Sequence, residues 1–185
     1  MLDKMIKKAK LFHPMVDNLG TLPNEAGLYM IAARDIVAVQ GLLKGAVIPK
    51  FEENDILYIG ISSKQGLRKR DFKNHFHGTA RNSTLRKSLG ALFRWENCRE
   101  YYNDGRYRFN KKRESELSEW MKNNLQLIYW TDIGGLRDQG LEGLELELIN
   151  KLDPPLNIKS NNGSINLQFR KELRTLRSGR MEAQL

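Results

Sequence analysis

Apolar residues fall into blocks of two different periods along this chain, and the blocks alternate. Leu22-Pro23-Asn24-Glu25-Ala26-Gly27 has turn chemistry, and the unbroken apolar run Leu28 to Ala33 behind it predicts a buried strand. A second strand is predicted from Asp55 to Ile61, paired beside the first. The connection Asp35 to Asn54, with Gly41, Gly45 and Pro49, predicts an elaborated excursion with short strands of its own. Ser62 to Gly66 reads as a turn and Leu67 to Phe76 as a helix. Ser83 is a helix N-cap, with Leu85, Leu89 and Leu92 following at helical spacing. Lys111 to Asn123 predicts a further helix, Leu125 to Trp130 a third strand, and Leu141 to Leu152 a final helix stopped by Pro154-Pro155.

That last helix carries a polar residue out of pattern. At about 100° per residue, Leu141, Leu144, Leu148, Ile149 and Leu152 share one arc, and Glu145 falls at about 40°, inside it. Glu147 looks outward. A carboxylate facing the core is costly to desolvate unless it meets a cation, a metal or several donors. Two readings follow: a structural ion pair or a stripe running out into a wet cleft, and a metal-binding or catalytic glutamate.

Composition narrows the classes. The chain has 185 residues, 31 Lys+Arg against 22 Asp+Glu, and a formal net charge of +9. A polyanionic partner is expected, nucleic acid foremost. No apolar run approaches the ~20 residues of a membrane-spanning helix, so no membrane role is expected. Met1 to Lys10 lacks the apolar segment of a secretory signal. The single cysteine, Cys98, allows no intrachain disulfide, which fits a reducing cytoplasm. A zinc site is disfavoured, because His75 and His77 point apart on a helix and no thiolates accompany them.

Gly27-Leu28-Tyr29 and Tyr58-Ile59-Gly60 are each common tripeptides. Followed by Leu67-Arg68-Lys69-Arg70 with His75-Phe76, and by Glu145, Leu148-Ile149 and Pro154-Pro155-Leu156-Asn157, they resemble the GIY-YIG nuclease superfamily. The resemblance spans about Leu22 to Lys159. It implies an α/β (α+β) domain with a small three-stranded antiparallel sheet flanked by helices. Around this nuclease-like domain (22–159), composition and pattern mark an N-terminal arm or helix (1–21) and a basic C-terminal tail (160–185) with Arg174 and Arg177, read as a solvated charged end or as an amphipathic helix that adds phosphate affinity.

The resemblance implies a metal-dependent endonuclease that hydrolyses DNA phosphodiesters, with RNA as an allowed substrate; the alternative is a nucleic-acid-binding module that kept the fold and lost cleavage. Glu145 would be the metal ligand, for Mg²⁺ or Mn²⁺, where helical geometry had independently marked it. Tyr58 would be general base or proton relay, with Tyr29 hydrogen-bonded close by, and Asn157, 12 residues after Glu145, would orient a phosphate or a water. Transition-state charge calls for a guanidinium. The Leu-x-x-Arg pattern selects Arg70, with Arg68 as the alternative. His75, which holds a phosphate or assists proton transfer in some relatives, follows Arg70 by five residues where the family usually shows four, so this helix carries a one-residue irregularity. Ile61 stands where several relatives have a lysine, and Lys64 could substitute from the turn. Lys73, Arg81 and Arg86 complete the expected nucleic-acid contacts, the last two beside the helix start at Ser83. No second folded domain is evident, so specificity is expected from the insertions or from a partner protein.

Overall fold

The structure, a computed structural model, describes residues 9–62, 66–131 and 138–178. Its centre is an antiparallel sheet of five strands, β1 (Lys10–Phe12), β2 (Gly27–Ala33), β3 (Lys50–Phe51), β4 (Asn54–Ser62) and β7 (Leu125–Trp130), in the order β1-β7-β2-β4-β3. The three strands read from sequence, β2, β4 and β7, form its middle. A three-stranded sheet was expected, and the correction is two short edge pieces: β1, in the segment read as an arm or helix, and β3, inside the connection read as holding short strands. Two or three residues are too few to show a strand period. A separate hairpin pairs β5 (Arg99–Tyr101) with β6 (Tyr107–Phe109).

β2 is buried along its whole length because both faces of the sheet are covered. Leu28, Met30 and Ala32 point to one side with Ile56, Ile59, Ile128 and Trp130, and there they meet Leu141, Leu144, Leu148 and Ile149 of helix α4 (Asp138–Leu152). The apolar arc computed for that helix is the face it buries. Tyr29, Ile31 and Ala33 point to the other side. There they pack with Leu57, Leu127 and Tyr129 against helices α2 (Thr84–Leu92), α3 (Lys111–Asn124) and α5 (Leu167–Ser178), and against Phe72 and Phe76.

Between Asp35 and Asn54 lie helix α1 (Ile36–Leu42) and β3. The Asp35 carboxylate caps α1 through the Val37 and Ala38 N–H groups. Ser83 caps α2 at the Arg86 N–H, as its sequence position predicts. Residues Arg68–Phe76 are π-helical. A π-turn takes one residue more than an α-turn and typically occurs as an inserted residue. The five-residue interval from Arg70 to His75 has its structural counterpart here.

The region read as a linker and tail packs otherwise. α5 buries Phe169 and Leu173 in the main core, and Arg170 forms a fully buried ion pair with Asp153 just beyond α4. Folding therefore continues past residue 160. The signal was present in Phe169, Leu173 and Leu176, spaced i, i+4 and i+7 among the arginines. No helix among the described residues is long and apolar enough to cross a membrane.

Candidate active site

Tyr29 and Gly60 face each other across the β2–β4 pair. A Cβ on Gly60 would lie 2.4 Å from the Tyr29 hydroxyl oxygen, so only glycine leaves room for the phenol. Gly27 is equally constrained, since a Cβ there would stand 2.2 Å from the Trp130 carbonyl oxygen on β7. The glycine of each tripeptide thus makes space for a close approach.

The Tyr29 phenol is nearly inaccessible, and its oxygen lies 2.8 Å from His75 Nε2. His75 is itself buried, and its Nδ1 is 2.7 Å from Ser83 Oγ, which also accepts from the Arg86 N–H at 3.1 Å. Two proton arrangements satisfy this chain. Either Ser83 donates to Nδ1 and Nε2–H donates to Tyr29, or Tyr29 donates to Nε2 and Nδ1–H donates to Ser83. The line Tyr29–His75–Ser83 can therefore pass a proton by switching tautomer. Tyr58 lies against it, with ring centroids 6.3 Å from Tyr29 and 5.8 Å from His75.

Arg86 supports this line from beneath. The expected phosphate contact is corrected here: Arg86 is fully buried, and all five of its guanidinium donors have partners inside the protein. Nε and Nη2 bond Glu114 Oε2 at 3.0 and 2.7 Å, and Nη2 also donates to the Glu114 carbonyl at 2.7 Å. Nη1 donates to the His75 carbonyl at 2.9 Å and to Ser118 Oγ at 3.0 Å. The other Glu114 oxygen accepts from the Ala80 and Phe109 N–H groups. Burial lowers the Arg86 pKa and Glu114 opposes the shift. A basic residue in a capped first turn looks solvated in sequence, because its partner lies 28 residues away.

Asn157 is also turned to the chain. Its Oδ1 accepts from the Ile59 N–H and its Nδ2 donates to the Ile59 carbonyl, both at 2.8 Å. With the Leu156 N–H on the Leu57 carbonyl, this segment completes the edge of β4 where β3 does not reach. The clamp fixes the strand that carries Tyr58 and Gly60.

These elements surround a cleft of about 1050 Å³. Tyr29, Tyr58, Gly60, Glu145, Asn157 and Tyr107 all line it. Glu145 is half-buried at its edge, where the apolar stripe of α4 gives way to the cavity. Four cations line the same cleft: Lys87 of α2, Lys159, and Arg174 and Arg177 of α5. Burial pushes the Tyr107 phenol upward, against the opposing pull of Arg99 and Arg177, so Tyr107 stays neutral.

The remaining predicted residues stand elsewhere. Arg68 holds the loop before β2, with Nε on the Leu22 carbonyl at 2.7 Å and Nη2 on the Gly20 carbonyl at 2.9 Å, so its fork serves the scaffold. Arg81 pairs with Asp104 and stacks 3.9 Å over the Tyr102 ring. Lys73 is exposed on the π-helical segment. Lys64 and the Arg70 side chain lie outside what is described; the Arg70 backbone stands five residues before His75 in that segment.

Compared with known families, residues 27–179 match the model of the GIY-YIG catalytic domain. The match takes in α5. Neither the curated proteins nor the solved structures gave a match.

Proposed function

The chain belongs to the GIY-YIG nuclease family, and on that premise we propose that it is a divalent-metal-dependent endonuclease that hydrolyses DNA phosphodiesters in the cleft between β4, α4 and α5. The observation carrying this reading is the convergence of Glu145, Tyr58 and the Tyr29–His75–Ser83 line on one cavity. No group of three or more metal-binding side chains occurs among the described residues. A lone carboxylate fits Mg²⁺ or Mn²⁺ better than zinc, because Mg²⁺ keeps several waters and takes its other oxygens from substrate phosphate. Held by Glu145, the ion would supply Lewis-acid stabilisation of charge on the phosphate oxygens.

The protein's own groups do the rest. Tyr58, half-buried on the clamped strand, takes the proton of the attacking water, whose oxygen bonds phosphorus while the P–O bond to the leaving strand breaks. A phenol with an ordinary pKa near ~10 needs neighbouring positive charge for this. Tyr29, His75 and Ser83 hold the Tyr58 ring in place and give a proton a path away from the cleft. Arg70 supplies the guanidinium for transition-state charge, carried on the π-helical segment with His75. Asn157 acts as a positioning residue through its clamp on Ile59. RNA is a second allowed substrate, a partner protein would supply specificity, and the single cysteine suits a reducing compartment such as the cytoplasm.

Supercoiled plasmid incubated with Mg²⁺ or Mn²⁺ is expected to be nicked by the wild type, spared in EDTA, and spared by Glu145→Gln. Loss of at least 10²-fold in rate is expected for that variant, comparable to losing one transition-state electrostatic contact. If wild type and variant bind the DNA equally and neither cuts plasmid, branched or flapped substrates, the domain is a binding module.

A further inference from the structure

α5 is fastened to the cleft at both ends. Near its start the Arg170–Asp153 ion pair and the Arg170 bond to the Gly163 carbonyl hold it. At its end, Arg99 donates to the Leu176 carbonyl and Tyr107 Oη donates to the Arg177 carbonyl. This anchoring leaves Arg174 and Arg177, three residues apart and so on one helical face, lining the cavity that holds Glu145. Lys87 reaches the same cavity from α2, lying 5.5 Å from the Tyr107 ring centroid. Among the described residues no carboxylate forms a salt bridge with Lys87, Arg174 or Arg177.

We propose that Lys87, Arg174 and Arg177 form a binding rail for backbone phosphates flanking the cleavage point, so that the C-terminal helix is part of the substrate site. The proposal rests on the reading that the cleft takes nucleic acid. It does not require that the nucleic acid be cut.

The electrostatics run in the same direction. Burial lowers the pKa of both Lys87 and Arg177, and the two cations repel one another. Tyr107 and Tyr58 oppose the shift on Arg177, and Arg174 adds to it; Arg106 lowers Lys87 and Asp104 opposes. Like charges crowded into a partly desolvated cavity destabilise the empty protein, and a phosphate between them removes the repulsion. The bland account of Arg177, a cation placed in the last helical turn to suit the helix dipole, predicts neither this repulsion nor a place in the cavity.

The test uses the full chain and a fluorescein-labelled DNA duplex in EDTA, where binding is read without cleavage. Each lost phosphate contact removes roughly 0.9 from the slope of log affinity against log salt concentration. Lys87→Gln and Arg177→Gln are each expected to flatten the slope by about 1, and the double variant by about 2. Lys44→Gln, an exposed cation that does not line the cleft, should leave it unchanged. Melting temperatures of the two cleft variants should be unchanged or raised, since each removes a repelled cation. A slope equal to the wild type's in the double variant overturns the proposal. So does flattening that occurs only with a fallen melting temperature, or a wild type that binds no duplex. Salt-sensitive binding with no cleavage in Mg²⁺ would instead leave the rail standing and remove the nuclease reading.

Discussion

The two faces of the sheet are covered by different means. Among the described residues, one is covered by a single helix, α4, whose apolar arc meets Leu28, Met30 and Ile59. The other is assembled from four pieces, the π-helical segment, α2, α3 and α5, and buried polar groups lock them together: Arg86 to Glu114, His75 to Tyr29 and Ser83. One element can be placed on a sheet by periodicity alone. Several packed side by side need directional bonds to fix their mutual positions, and those bonds also aim the side chains of the cleft. Glu145 comes from the first layer and the tyrosine–histidine line from the second, so the candidate site lies at the junction of the two.

If this contrast is right, the polar layer fails hardest when one partner is removed. Arg86→Met is expected to cost on the order of 3–5 kcal/mol, because Glu114 is left buried and charged. Urea denaturation measures it, and a cost below about 1 kcal/mol would mean that the pair is dispensable. The apolar layer should give way more gently. Leu148→Ala, on the fully buried face of α4, is expected to lose roughly 3 kcal/mol of stability through lost burial and an unfilled cavity. Nuclease activity measured on the folded fraction should fall little, since Leu148 touches none of the proton line.

Ser83→Ala sharpens the contrast further. Removing this cap is expected to cost about 1 kcal/mol. It also takes away the partner of His75 Nδ1, so kcat should fall by more than the stability loss explains while KM changes little. Equal activity in the variant would separate the cap from the chemistry.

The smallest effect concerns pH. Burial, with Lys122 and Arg86 nearby, holds the His77 imidazole below its ordinary value of 6.5. Between that lowered value and 6.5 the unfolded chain binds more protons than the folded one, so stability rises with pH across this window and falls on acidification. His77→Gln should flatten that acid-side decline slightly, as read from urea midpoints at pH 5 and pH 7. An unchanged decline would assign it to other groups.

Much of this could be read from the residues because it depends on local spacing. The α4 arc and its misplaced carboxylate, the Ser83 cap and the three central strands all follow from neighbours within a turn or a strand. Even the irregular interval between Arg70 and His75 was visible, and it falls within a π-helical stretch. What escaped depends on contacts distant in sequence. β1 exists only because β7 offers it an edge. Arg86 looks like any surface arginine until Glu114 is brought to it, and Arg68 like a phosphate ligand until its fork meets the Leu22 and Gly20 carbonyls. Arg174 and Arg177 read as a solvated tail or as the polar face of an amphipathic helix, and only the packing of Phe169 and Leu173 against a core distant in sequence decides between the two.

The Asn157 clamp reaches beyond the chemistry of the cleft. An uncovered sheet margin offers rows of peptide groups to any extended chain, and proteins that leave such a margin open risk pairing with their own copies. A single primary amide, bonded to both peptide groups of Ile59, occupies that margin without adding a strand. The same two bonds that hold the tyrosine strand therefore also deny this stretch of margin to the edge of a second copy of the chain.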